Sequence, residues 1–388
     1  MSPTRRHFLK LSAMAGAAAS LPERAGSLVF ESQVGSSMGE NTHGAPTQLN
    51  ILILGGTSFL GPHQIRYAME RGHSITIFTR GQTQPTVFKG IFRDVEHLVG
   101  DRSDNLSALR GRTWDAVIDN SGQRVEWTRD SAELLKDNVE TYVYTSSTGV
   151  YLPYLGTDIR ESTQLVLEDP PEIPEDRRPT YGVMKSLSEI AARNAFGEDR
   201  TIVVRPTYIV GPADPTNRFP YWSARLERGG EVMIPGQPDD LVQYIDVRDL
   251  TEWMIRLIEN RTVGTFNVAG PAAPMGMHAF VHGVHAGTSS AVTWVPIPDY
   301  DFLREHEVEF LIPWIMPVGE YVGSARVNIE QSVANGLTFR PLGDTTRDVI
   351  EWWHSDAVAD ERRASLLDGE PSLARREAEL IAAWRARG

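Results

Sequence analysis

Tyr181 and Lys185 stand four residues apart, a spacing that puts both side chains on one face of a helix. A lysine ammonium beside a phenol favours the phenolate, so the pair suits a tyrosine that exchanges protons near neutral pH. With 11 Tyr and four Lys in the chain, chance supplies about 0.1 Tyr-x3-Lys pairs, and this is the only one. Thr180, directly before Tyr181, can cap the helix start. Upstream, Thr145-Ser146-Ser147-Thr148 follows the β-branched and aromatic run Thr141–Tyr144. A hydroxyl at the carboxyl end of that strand could bind the same substrate oxygen as Tyr181. A serine-rich stretch alone is more often a loop.

These side chains need a scaffold, and the pattern from Leu49 onward supplies one. Strand-like runs at Asn50–Leu54, Ser74–Phe78, His97–Val99, Ala116–Ile118, Thr141–Tyr144 and Thr201–Val204 alternate with helical spacing at Pro62–Arg71, Ser131–Asp137 and Tyr181–Phe196. That order predicts an α/β fold, a doubly wound parallel Rossmann sheet whose ligands bind at the carboxyl ends of its strands. The first strand runs into Gly55-Gly56-Thr57-Ser58-Phe59-Leu60-Gly61. Gly55 and Gly61 occupy the first and third positions of a G-x-x-G-x-x-G dinucleotide turn, and Ser58 replaces the middle glycine. Ser58 is small, and its hydroxyl could donate to a phosphate oxygen at the helix N-terminus.

The glycine turn, Ser-Ser-x-x-Val-Tyr and Tyr-x3-Lys, in that order, make the chain resemble the extended short-chain dehydrogenase/reductase family, the branch of NAD(P)-dependent epimerases and dehydratases. Arg205-Pro206-Thr207-Tyr208-Ile209-Val210-Gly211-Pro212, Tyr244–Leu250 and Gly264–Val268 are similar to further family landmarks, so the resemblance spans about Leu49 to Phe339. It implies that Ser147, four before Tyr151, orients substrate, with Ser146 as the alternative. It also implies that Tyr181 is the acid/base and that Lys185 anchors the nicotinamide ribose. The expected cofactor contacts are Gly55 to Gly61, Arg80, Asp101, Arg102, Asn120, Ser121, Gly122, Lys185 and Pro206. Three segments follow the 1–48 leader: an NAD(P)-binding domain over 49–205, a smaller substrate-binding lobe over 206–343 with contributions from 152–180, and a helical tail over 344–388. Trp352 and Trp353 are the expected packing anchors of that tail. Many extended members form homodimers, and the resemblance carries that expectation here.

Departures from the family pattern narrow the chemistry. In the 4,6-dehydratases a Thr is followed by Asp-Glu, whereas Thr148-Gly149 here bring no carboxylate for an elimination. The stretch from Ser147 to Tyr181 is longer than usual, and its Pro- and acid-rich residues, about Leu155 to Arg178, form either a lid or a solvated insertion. The second strand ends in Thr79-Arg80 and not in the acid that commonly grips an NAD ribose, which favours NADP over NAD. His278, His282 and His285 share a helical spacing, but no carboxylate or Cys lies among them and glycines interrupt the run, so no metal is expected.

Composition sets outer limits. The net charge of −13 argues against nucleic acid as the main partner, and the absence of Cys excludes disulfides, thiolate metal sites and Cys nucleophiles. Thr4-Arg5-Arg6-His7-Phe8-Leu9-Lys10 followed by the Ala-rich Leu11–Leu21 resembles a twin-arginine export signal, with cleavage near Ala17-Ala18-Ala19 and a linker to about Gln48. It is too short for a comfortable membrane span, which takes about 20 apolar residues, so no stable membrane insertion is expected after cleavage. The expected location is therefore periplasmic, or cytoplasmic if the signal is not used. No soluble NAD(P)H pool is expected outside the cytoplasm, so the favoured activity is redox-neutral epimerisation of a secondary alcohol on a carbohydrate-like substrate with a retained cofactor. Nucleotide sugars are also cytoplasmic, so either the substrate is a free sugar or glycoside or the signal is not used for export. The alternatives are a net NADP-dependent reductase or dehydrogenase, and a non-enzymatic RNA- or protein-binding relative.

Overall fold

The computed structural model describes residues 47–120, 123–169, 179–370 and 372–387. The export segment up to residue 46, Ser121 and Gly122, and residues 170–178 of the insertion lie outside these. The first half of the chain supplies β1 (Asn50–Leu54), β2 (Ser74–Thr79), β3 (Glu96–Val99), β4 (Trp114–Asp119), β5 (Val139–Thr145) and β6 (Thr201–Pro206). The second supplies β7 (Tyr208–Val210), β8 (Gly230–Pro235), β9 (Leu241–Asp246), β10 (Gly264–Val268), β11 (Gly270–Gly276) and β12 (Val292–Ile297). The helices that matter here are α1 (Leu60–Glu70), α2 (Val125–Leu135), α3 (Tyr181–Phe196), α4 (Arg218–Arg228), α5 (Val247–Glu259), α6 (Met277–His285) and α7 (Leu342–His354).

Among the described residues, seven parallel strands form one sheet in the order β10-β6-β5-β4-β1-β2-β3. From β1 the chain winds through β2 to the β3 edge, then returns to β4 beside β1 and winds outward through β5 and β6 to β10, the doubly wound arrangement that the alternation predicts. Both faces are covered, which explains why the central strands read as unbroken apolar runs. On one face α1 and α5 pack through Ile65, Ala68, Trp253, Met254 and Leu257. On the other, α2 and α3 pack through Ala132, Leu135, Ala192 and Phe196.

β10 corrects one boundary. Residues 264–268 were expected in the 206–343 lobe, yet they extend the parallel sheet beside β6, register Phe266↔Val204. The helix expected over Ser131–Asp137 starts six residues earlier, at Val125, because polar Glu126, Arg129 and Asp130 line its solvent side while Thr128 and Ser131 are buried. A further apolar cluster gathers α4, β8, β12, α6 and α7 around Phe219, Trp222, Phe280 and Trp314. Trp352 and Trp353 of the tail are buried in it.

Candidate active site

The glycine turn is built by contact as much as by conformation. Gly55 and Gly56 have φ of 102° and 110°, a region that favours glycine. A Cβ on Gly56 would stand 2.8 Å from Ile77 Cγ2, and one on Gly61 would stand 2.3 Å from the Gly56 backbone, so only glycine lets α1 close on the turn. A Cβ on Gly55 would meet nothing within 4 Å, leaving that side of the turn as an open cradle. No side chain caps α1 and no acid lies in its first turn, so its positive end is left for an anion. Ser58 is exposed at this end, Thr57 is buried, and Phe59 takes φ 35° while its ring packs on the downstream aromatic cluster. These residues fit a dinucleotide pyrophosphate.

Farther along the strand ends, Asn120 is fixed by Gln64, whose Nε2 donates to its Oδ1 at 3.2 Å, and by the Thr145 hydroxyl at 3.0 Å. Arg80 is exposed at the end of β2. The Ser103 backbone N–H holds the Asp101 carboxyl below the usual carboxylate range, helped by Arg80 and by Arg124. The Arg102 guanidinium donates to both Asp119 oxygens at 2.8 and 3.0 Å, to the Trp127 carbonyl and to Ser131, so it ties β4 to α2.

The two serines are separated by what they touch. Ser146 is buried and donates to Glu189 Oε1 at 2.5 Å. Ser147 is half-buried; its Oγ accepts from the Gly149 N–H at 3.1 Å, which turns the chain and leaves the hydroxyl near Tyr181. A Cβ placed on Gly149 would stand 3.3 Å from Tyr181 Cδ1 and 3.4 Å from Ser147 Oγ, so both side chains pack close to this glycine. α3 reaches this turn because its second residue is Gly182, where a Cβ would lie 2.4 Å from the Gly149 carbonyl oxygen. Thr180 does not cap α3 with its side chain; its backbone N–H donates instead to the Asp169 carboxylate at 2.9 Å, tethering the insertion to the helix.

Lys185 is buried below Tyr181, with Nζ 5.8 Å from that ring centroid and 5.0 Å from the Tyr144 ring, and donates to the Thr145 carbonyl at 2.7 Å. Burial opposes its charge, but Tyr144, Tyr181 and Asp119 face it and hold its pKa above the ordinary lysine value. Tyr181 itself is 45% exposed. Beneath the site Arg205 pairs with both Glu189 oxygens at 2.9 and 2.7 Å and donates to the Tyr151 hydroxyl at 2.6 Å, which in turn donates to Asn267. One buried network thus joins α3, β6, β10 and the serine turn. Pro206 ends β6 beside it, in register with Val268.

Sequence reasoning missed the groups around the phenol. Tyr154, Tyr208 and Tyr321 lie within electrostatic reach of one another, and Tyr154 and Tyr208 also of Tyr181. Burial pushes the Tyr208 phenol up to about 12, against the pull of Arg218, and pushes Tyr154 up further. Glu189, by contrast, had a signal: it repeats the Tyr181–Lys185 spacing one turn on. The three histidines lie apart from this site: His282 and His285 pack on Trp294, and His285 Nε2 pairs with the Ser290 carbonyl at 2.7 Å.

Residues 51–269, more than half of the chain, match the model of the NAD dependent epimerase/dehydratase family. The chain belongs to that family. Residues 2–22 match the twin-arginine translocation pathway signal sequence, and among the described residues no helix is long and apolar enough to cross a membrane. Among characterised relatives of this epimerase-family chain, the chloroplast stem-loop binding protein of 41 kDa b of Arabidopsis thaliana is 28% identical over 240 residues, 58% of this chain and 60% of that protein. The decarboxylating sterol-4-alpha-carboxylate 3-dehydrogenase of Bos taurus is 24% identical over 246 residues, 58% of this chain and 64% of that enzyme. The chain thus spans under two thirds of the length of these relatives. Solved structures share the fold. The Bordetella bronchiseptica enzyme WbmH, in complex with NAD+, superposes with a TM-score of 0.58 at 14% identity, covering 80% of this chain and all of that one. The UDP-N-acetylglucosamine 4-epimerase of Methanobrevibacter ruminantium, in complex with UDP-N-acetylmuramic acid, gives 0.58 at 14% identity, covering 79% and 98%.

Proposed function

We propose that this family member oxidises a secondary alcohol of a carbohydrate-like substrate and returns the product as its epimer, with the dinucleotide retained throughout. The observation that carries the reading is that Ser147 and Tyr181 both pack against Gly149 just past β5, with buried Lys185 5.8 Å from the Tyr181 ring. When bound, the nicotinamide supplies a reversible hydride acceptor. The chain's own part is acid–base and positional. Ser147 Oγ hydrogen-bonds the reacting oxygen. The Tyr181 phenolate, stabilised by the Lys185 ammonium that the Thr145 carbonyl fixes, takes the proton from that oxygen, and the neutral phenol so formed later returns it. Gly55, Gly56 and the open end of α1 would hold the pyrophosphate, Asn120 and Lys185 the ribose side, and Arg80 a 2′-phosphate, which favours NADP. The twin-arginine signal supports export, and with it a substrate that is a free sugar or glycoside.

Tyr181→Phe tests the reading. Turnover should fall by about 10³-fold or more while the dinucleotide stays bound; unchanged turnover would sink the mechanism. Stoichiometric consumption of added NADPH would instead mark a net reductase. A second reading comes from the Arabidopsis relative, whose name describes stem-loop binding. Fluorescence anisotropy with a hairpin RNA decides it: the net charge of −13 leads us to expect no binding at physiological salt.

A further inference from the structure

Arg218 opens α4 immediately after the loop 211–217. Among the described residues its guanidinium makes no hydrogen bond and no ion pair, and its Nε is shut away from water without a partner. A polar group in that position needs an explanation, and an absent ligand is one of the few available. The cation is held over the face of Tyr208, 5.5 Å from the ring centroid, and Tyr208 belongs to the cluster around the Tyr181 phenol. The loop that presents it is strained: Ala213 and Asn217 take φ of 72° and 61° without being glycine. Asp214 lies within electrostatic reach of the arginine but makes no hydrogen bond to it. Asp214 Oδ1 accepts from the Thr216 N–H and hydroxyl at 2.7 and 2.6 Å, and Oδ2 is buried without a hydrogen-bond partner. The neighbouring Arg362 is already committed, donating to Asn217 Oδ1 and to the Asp214 carbonyl.

We propose that Arg218 is a specificity-determining residue that binds a carboxylate on the substrate, so that the substrate class is an acidic sugar of the uronate type. The planar fork of an arginine matches a carboxylate with two parallel hydrogen bonds. With Asp214 already within electrostatic reach of Arg218, a singly charged carboxylate suits the site better than the two or more charges of a phosphate ester. This assignment rests on the reaction site proposed above, since it takes Tyr181 as the place where the sugar reacts.

The test uses the full exported protein saturated with dinucleotide. Titration calorimetry compares methyl glucuronide and methyl galacturonide with the matching neutral glucoside and galactoside, and with glucose 1-phosphate. The uronides should bind at least ~10-fold more tightly than their neutral partners. Arg218→Met should erase that margin, Arg218→Lys should keep part of it, and Tyr181→Phe should keep all of it. Circular dichroism confirms that each variant is folded. Equal affinity for acidic and neutral sugars, a margin that survives Arg218→Met, or tighter binding of the phosphate ester would overturn the assignment. If the uronides bind through Arg218 but never reduce the nicotinamide, the assignment stands and the epimerase reading falls.

Discussion

Two adjacent serines carry the same hydroxyl into different work. Ser146 faces inward and holds the Glu189–Arg205 pair, whereas Ser147 packs with Tyr181 against Gly149. Ser147→Ala should therefore lower kcat by about 10²-fold or more with little change in unfolding midpoint. Ser146→Ala should cost about 1–3 kcal/mol of stability, because it takes a donor from a buried carboxylate. Urea unfolding and steady-state rates on both variants separate the two roles; reversed outcomes would exchange them. A titration prediction belongs to His63. Its ring is buried under Phe88 with Nε2 3.1 Å from the Pro212 carbonyl, and burial lowers its pKa from 6.5 to about 4. Between those values the unfolded chain binds the proton and the folded chain does not, so stability falls as pH falls. From pH 7 to about 5 the wild type should lose about 2 kcal/mol more than His63→Gln, measured by urea unfolding. Equal losses would show that the folded protein protonates His63 without cost.

At the scale of elements, α3 and the serine turn meet through two glycines and almost no side chain. Gly182→Ala would force a Cβ to 2.4 Å from the Gly149 carbonyl and 3.1 Å from Val166 Cγ1, so the helix or the turn must give way. The expected cost is about 1–3 kcal/mol in stability and, since Tyr181 moves with the helix, a further 10- to 100-fold or so in kcat. Intact kcat in a folded Gly182→Ala protein would mean that the approach of helix to turn is not what aligns the phenol. The alternation of apolar runs made the sheet legible, and the Tyr181–Phe196 helix matches its expected span to the residue because Gly197, at φ 78°, ends it. The start of α2 was hidden, since its first turns face solvent and lack an apolar stripe. Tyr208, Arg218 and Tyr321 were hidden for a different reason. They come together from three separate segments with no shared period, and only folding reveals that the guanidinium of the three makes no hydrogen bond among the described residues. Arg102 shows the converse: a position implied by family pattern also pairs with Asp119, which the spacing of neither residue announces.

For the whole molecule, the sheet, the glycine turn and the signal at residues 2–22 together constrain how the cofactor must be held. A chain that leaves the cytoplasm loses access to a replenishing pool, so a dinucleotide in use there has to be bound before export and kept. Retention demands a dissociation constant well below the protein's working concentration, and linkage makes that visible as stability. Ligand at 100 times its dissociation constant adds about 2.7 kcal/mol to the folded state. Protein stripped of nucleotide should accordingly melt lower than protein as purified, and adding NADP should restore the loss more completely than adding NAD. The margin between the two should vanish in Arg80→Ser, which removes the exposed cation at the end of β2 and leaves the turn around Gly55 untouched. NAD would then stabilise the variant and the wild type alike, because the pyrophosphate contacts are common to both nucleotides. Should NAD restore the wild type as fully as NADP, Arg80 is a solvent-facing arginine and the enzyme keeps NAD.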